Sequence, residues 1–159
     1  YLGRYAGFRI HECFRMDTAA AEQALRENAL TVKGKGGKVR IVPIEDERIL
    51  MMLKRVLAQT ERGHKLLVPD GMPTDRSINA LELFIYRHRN EISDEGSDRR
   101  LTFHGLRHTY AAEKYTRLTE GGMSAIDAHY AVSRLLGHER ADVTDIYLAS
   151  VRKRGSDGE

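Results

Sequence analysis

The stretch Leu101-Thr-Phe-His-Gly-Leu-Arg-His-Thr-Tyr110 sets His104 and Arg107 three residues apart. On a helix that spacing places both on one face. A cation beside a titratable imidazole suits an anionic substrate such as a phosphodiester. His104 and His108 stand at i and i+4, the spacing of a helical metal pair. The glutamate of the zinc-protease motif is missing, however, and Arg107 is a poor neighbour for a bound cation, so no metal is expected. Further on, Leu135-Leu-Gly-His138 precedes Tyr147 by nine residues. Gly137 reads as the residue that ends a helix, with His138 in the turn that follows. Taken singly, each feature has an ordinary explanation. Basic residues at a helix end are commonly solvated, and a helix-end tyrosine commonly packs its ring and hydrogen-bonds its hydroxyl.

Positioning these groups requires a framework, and apolar periodicity outlines one. Residues 1–16 carry Leu2, Tyr5, Phe8, Cys13 and Met16 at helical spacing. Asp17-Thr18 reads as the N-cap of an Ala-rich helix from Ala19 to about Asn28. Ala29-Leu-Thr-Val32 and Val39-Arg-Ile-Val-Pro43 are β-prone runs around the turn Gly34-Lys-Gly-Gly37, the signal of an antiparallel hairpin. A helix follows over residues 46–60, with Ile49, Met52, Leu53, Val56 and Leu57 on its apolar face. Lys65-Leu-Leu-Val68 is a short extended piece ended by Pro69-Asp-Gly71, and another helix runs over residues 75–91. Residues 93–100 form a polar surface loop. Residues 103–118, 124–136 and 142–150 read as three further helices, N-capped by Thr102, Ser124 and Asp142. The expected fold is mainly α, of the α+β kind, with one small antiparallel β-hairpin. Residues 1–150 form one domain and residues 151–159 a polar, frayed tail.

Assembled in order, these segments resemble the tyrosine recombinases of the phage integrase family. His104-Gly-Leu-Arg107-His-Thr, Leu-Leu-Gly-His138 and Thr144-x-x-Tyr147 are similar to the family's C-terminal signature. Gly7-Phe-Arg9-Ile-His-Glu12 resembles its Gly-Leu-Arg-x-x-Glu helix, which carries the first catalytic arginine. Lys35-Gly-Gly-Lys-Val-Arg-Ile-Val-Pro43 resembles its β-hairpin, whose catalytic lysine lies at the turn eight residues before a proline. The four motifs span Gly7 to Tyr147, nearly the whole chain.

The resemblance implies a helical DNA breaking–rejoining catalytic domain with Tyr147 as nucleophile. Arg9 and Arg107 would clamp the non-bridging phosphate oxygens, and Lys35 would protonate the leaving 5′-oxygen, with Lys33 and Lys38 as competitors for that role. His104 would accept the tyrosine proton and His138 would hydrogen-bond the phosphate. Glu12 would orient Arg9 or a histidine, while Lys33, Lys38 and Arg40 would bind DNA. No cofactor and no metal are implied. The implied partner is double-stranded DNA, with a tetramer assembled on it by the full-length protein and a monomer or weak dimer for this segment alone. Two features depart from the family pattern. The stretch from Thr116 to His129 is longer than in compact members, and Glu139 stands where a small polar residue is expected. The family's separate N-terminal DNA-binding domain, and the start of the catalytic domain, would precede Tyr1.

Composition bounds these expectations. A chain of 159 residues suits one domain with a sizeable core. With 41% hydrophobic and 31% charged residues it reads as soluble and globular. No apolar run approaches the ~20 residues of a membrane span. The start has neither an initiator Met nor a signal-peptide layout, so the chain is expected to begin inside a larger protein. The single Cys13 excludes an internal disulfide and a zinc ribbon, and fits a reducing cytoplasm, the expected location. A net charge of +3 permits nucleic-acid binding without demanding it. Two other readings share much of this pattern. A type IB topoisomerase uses the same arginine, lysine and tyrosine logic, and a non-catalytic helical DNA-binding module would bind without a covalent adduct.

Overall fold

A computed structural model of the chain describes residues 1–34, 37–92, 100–138, 144, 145 and 148. The opening segment forms two short helices, α1 (Leu2–Ala6) and α2 (Ile10–Cys13), rather than one continuous helical stretch. The break is at Gly7, whose φ of 65° is left-handed. A Cβ at this position would lie 2.5 Å from Cδ1 of Tyr110, so a side chain is excluded on both backbone and steric grounds.

Helix α3 (Thr18–Glu27) starts as its cap predicts. The Asp17 carboxylate accepts from the Ala20 N–H at 2.8 Å. It stops at Asn28, which adopts φ 51° and turns the chain into β1 (Ala29–Lys33). Strand β1 pairs antiparallel with β2 (Val39–Pro43), with Leu30 opposite Val42 and Val32 opposite Arg40. Leu30, Val32 and Val42 are buried, whereas Val39 and Ile41 face outward and are exposed. Arg40 therefore lies on the strand face that points into the protein.

The amphipathic α4 (Glu47–Leu57) buries Ile49 and Leu53 completely and packs on α3. These residues join Phe8, Phe14, Leu30 and Val42 in the main core. The expected extended piece after residue 65 pairs only through a bridge from Lys65 to Asp17, supported by the Leu66 N–H donating to Met16 O at 2.9 Å. Pairing ends there because Asp17 already caps α3.

Helix α5 (Thr74–Ile92) buries only Ser77, so it lies largely on the surface. Helix α6 (Phe103–Glu120) packs on α1, and α7 (Ala125–Leu136) packs on α6 and touches β2. Ala111, Val132 and Leu136 make a second small core between α6 and α7. The long stretch anticipated between Thr116 and His129 is resolved simply: α6 runs to Glu120, Gly121 and Gly122 turn the chain, and Ser124 caps α7. Of the helix expected over residues 142–150, Thr144, Asp145 and Leu148 are helical and the rest lies outside the described residues. So do most of the loop expected over residues 93–100 and all of the tail expected over residues 151–159. The fold is mainly helical with one antiparallel hairpin, as expected. Among the described residues no helix is long and apolar enough to cross a membrane.

Candidate active site

Arg9 is the N-cap of α2, held there by Glu12. The Glu12 carboxylate accepts from the Arg9 backbone N–H at 2.7 Å and from its guanidinium Nη1 at 3.0 Å. The first contact is the carboxylate half of a capping box. Glu12 thus orients Arg9, and the same carboxylate also accepts from Arg40. Its carboxyl is buried, which by itself would raise its pKa. The Arg40 side-chain bonds, the Arg9 backbone bond and both positive charges outweigh that and bring it down to about 2. The Arg9 side chain remains 31% exposed, and so can meet a ligand.

Arg107 comes from the first turns of α6, whose start is fixed by Thr102 accepting from the Gly105 N–H at 2.9 Å. Its residue is 0% exposed. The guanidinium Nη1 donates to the Gly7 carbonyl, and Nη2 donates to Leu136 O at 2.7 Å. The left-handed turn at Gly7 and the C-terminus of α7 therefore both converge on Arg107. Its second contact from Nη2 is to Nε2 of His138, at 3.2 Å.

That contact fixes the histidine's tautomer. Arginine offers only donors, so Nε2 of His138 must accept. The ring proton then sits on Nδ1 and donates to Thr144 Oγ1 at 2.9 Å. The neutral form is also the favoured one. Burial, then the charges of Arg107, Arg9 and Arg40, lower the His138 pKa to about 4. Both ring nitrogens are therefore engaged by protein groups here, and a bond from His138 to phosphate requires one of them to be exchanged.

His104 lies on the exposed first turn of α6, with its ring edge-on to His108 at 4.7 Å between centroids. Its pKa is lowered by partial desolvation of the ring and then by the charges of Arg107 and Arg9. Both arginines thus act on both histidines, which places Arg9, His104, Arg107 and His138 in one electrostatic neighbourhood. A neutral imidazole there can accept a proton. Burial raises the Tyr110 phenol to about 12. Burial likewise raises the Cys13 thiol to about 12. Among the described residues, no group of three or more His, Cys, Asp or Glu side chains is placed to hold a metal.

Two expected participants, Lys35 and Tyr147, lie outside the described residues, as does Glu139. Lys33 and Lys38 are exposed on the hairpin that flanks Lys35. Arg40, expected to contact DNA alongside them, is placed differently. Its side chain is only 10% exposed and grips both oxygens of Glu12, at 2.9 and 2.7 Å, and the Leu135 carbonyl, at 2.9 Å. The reason is strand parity: two residues before the buried Val42, Arg40 must face inward. Thr144 is the functional neighbour that sequence reasoning missed. Its spacing to Tyr147 was noted, but not its contact with His138.

A family model described as the Phage integrase family matches residues 2–154. The chain is 30% identical over 156 residues to the tyrosine recombinase XerC of Shewanella oneidensis, covering 91% of this chain and 44% of that protein. It is 28% identical over 137 residues to the tyrosine recombinase XerD of Pseudomonas putida, covering 82% and 42% respectively. The chain thus spans less than half the length of these curated relatives. The solved XerA recombinase superposes with a TM-score of 0.67 at 22% identity, over 98% of this chain and 55% of that one. The Tn1549 transposon integrase in complex with transposon right end DNA gives a TM-score of 0.63 at 17% identity, over 99% and 56%. At such identities the two structures establish likeness of fold.

Proposed function

Because the chain belongs to the phage integrase family, we propose that it is a site-specific DNA recombinase that cuts and rejoins strands through a 3′-phosphotyrosine at Tyr147. The observation that carries this reading is that Arg9 and Arg107, far apart in the sequence, both act on His104 and His138 and lower the pKa of each. Such a site suits a phosphodiester whose negative charge grows in the transition state.

On this reading Tyr147 Oη attacks phosphorus in line and the bond from phosphorus to O5′ breaks. A phenol with an ordinary pKa of ~10 is a weak nucleophile at neutral pH. His104 takes its proton, and Lys35 gives one to the departing O5′. Arg9 and Arg107 hold the non-bridging oxygens, and His138 steadies Arg107. The phosphotyrosine keeps the energy of the original phosphodiester, so a 5′-hydroxyl of a second strand can displace Tyr147 and reseal the backbone. No nucleotide is consumed. Two such exchanges between duplexes integrate or excise a mobile element or phage genome. The expected assembly is a tetramer of full-length protein on double-stranded DNA, acting in the cytoplasm at the nucleoid. Removing either arginine would slow cleavage by about 10²–10³-fold.

The test is covalent capture. Full-length protein is incubated with a pool of nicked duplexes carrying randomised arms, and adducts that survive denaturation are collected. The expected result is an adduct from the wild type and none from Tyr147→Phe. An adduct from the Phe variant means the nucleophile is another residue. No adduct from the wild type counts against the recombinase reading as a whole.

A further inference from the structure

We propose that Arg40 is a positioning residue, a brace that locks Glu12 and hence Arg9 to the turn that carries His138. The inference rests on the strand-transfer reading above and concerns the same site.

Two separate elements, α2 and the C-terminal end of α7 with its capping turn, meet on this one guanidinium from β2. From α2, Glu12 offers both oxygens and receives a two-pronged fork, Nη1 to Oε1 at 2.9 Å and Nη2 to Oε2 at 2.7 Å. From the end of α7, the Leu135 carbonyl accepts from Nε at 2.9 Å. The carbonyls of a helix's last turn lack partners within the helix and carry its negative dipole end, so a cation is favoured there. From the turn after α7, Gly137 packs directly on the side chain. A Cβ at Gly137 would lie 3.0 Å from Cδ and 3.1 Å from Nη1 of Arg40. The Phe8 ring adds a wall, its centroid 5.8 Å from Cζ.

The same Glu12 carboxylate then holds Arg9 through its backbone N–H and Nη1. Next along the chain from Gly137 is His138, the partner of Arg107. Arg40 therefore joins the platform of one phosphate-clamping arginine to the partner of the other. It does so from β2, five residues after Lys35 in sequence. Only arginine can make this set of bonds, because lysine presents a single point of charge and no fork. A DNA-contacting role fits the geometry less well, since the Arg40 side chain is 10% exposed and its bonds to Glu12 and Leu135 would have to break first.

Among the described residues, the charged and titratable groups facing Glu12 include Arg9 at the cap of α2, Arg40 from β2, and the adjacent His11 and Cys13. Without the fork, Glu12 would be held by Arg9 alone and would protonate at higher pH.

The test compares wild type, Arg40→Lys and Glu12→Gln in the full-length protein. The probe is the nicked, random-arm pool after enrichment by covalent capture on the wild type. Cleavage rate at saturating DNA, Kd with its salt dependence, and the pH–rate profile are measured, and folding is checked by thermal melting. Arg40→Lys should cleave roughly 10- to 100-fold more slowly, the scale of a small misplacement of reacting groups. Its Kd and salt slope should match the wild type, and its rate should begin to fall at higher pH on the acid side. In the Glu12→Gln background the same change should have little further effect, because the two residues act as one unit.

A normal cleavage rate in Arg40→Lys overturns the inference, as does a weakened Kd with a salt slope reduced by about one phosphate contact in Glu12→Gln with Arg40→Gln relative to Glu12→Gln alone. Should Arg40→Lys fail to fold, the charge-free pair Glu12→Gln with Arg40→Gln replaces it. Slow cleavage at normal Kd by that folded pair supports the brace, and wild-type cleavage overturns it. If the wild type captures no DNA, the functional reading falls and takes the inference with it. Capture by wild type and Arg40→Lys at equal rates removes the inference alone.

Discussion

At His138 the two ring nitrogens have opposite roles, one accepting from Arg107 and the other donating to Thr144. A second proton would place a donor against a donor and a cation against three arginines. This makes the residue a source of pH-dependent stability. In the unfolded chain the imidazole takes up a proton near pH 6.5, whereas in the folded chain it resists until about 4. Between those values the unfolded state binds more protons, so stability is full above pH 6.5 and falls as pH drops toward 4. With allowance for screening at its exposed edge, the expected loss is about 1–2 kcal/mol. Glu12 contributes a separate loss lower down, as pH falls from 4.5 through about 2. Urea unfolding of wild type and His138→Gln at neutral pH and at pH ~4.5 isolates the first effect, because losses at other carboxylates are common to both. The wild type should lose more stability over that interval. Equal losses would mean that the imidazole is not the proton-linked group.

Short elements set the site together with the long α6 and α7, and Gly7 shows how. It separates α1 from α2, presents its carbonyl to Arg107, and lets the Tyr110 ring of α6 pack where a side chain would otherwise stand. Gly7→Ala must either strain a left-handed backbone or displace that ring, and should cost about 2–5 kcal/mol in urea unfolding. Combining it with Tyr110→Ala should recover the steric part but not the backbone part. A loss below ~1 kcal/mol for Gly7→Ala alone would contradict the close approach.

The same residue marks where sequence stops being informative. Helix starts at Asp17, Thr102 and Ser124, and the stop at Gly137, are local signals and were legible. So was the order of the arginine, histidine and tyrosine motifs. The break at Gly7 was not, because it is fixed by a ring contributed by a distant helix. Nor was the inward turn of Arg40. By composition Val39 and Ile41 look like the buried residues of β2, yet the register that buries Leu30 and Val42 turns them out and Arg40 in. Strand parity counted from Val42 was the available signal.

Over the whole molecule, the modest charge of +3 conceals an uneven arrangement. Several basic side chains are neutralised in place: Arg4 by Glu113, Arg48 by Asp46, Lys114 by Glu45, and Arg40 by Glu12. The first three pairs lie on the surface, where each contributes little to stability, but together they reduce the positive charge there. Lys33 and Lys38 are exposed on the hairpin whose inner face carries Arg40. If the hairpin lies along DNA, its lysines meet phosphate and their effect is electrostatic and indifferent to sequence. Replacing both by glutamine should then weaken binding to unrelated duplexes to a similar degree. It should also make log Kd less steep against log salt by roughly 0.9 for each lost contact. Adding Arg40→Gln to Glu12→Gln should leave the slope of Glu12→Gln unchanged, because Arg40 is held by Glu12 inside the protein. Fluorescence anisotropy across a salt series separates the cases. An unchanged slope in the double lysine variant would place the DNA backbone elsewhere on the molecule. A slope lowered as much by that Arg40→Gln change as by a lysine change would mean that Arg40 leaves Glu12 when DNA binds.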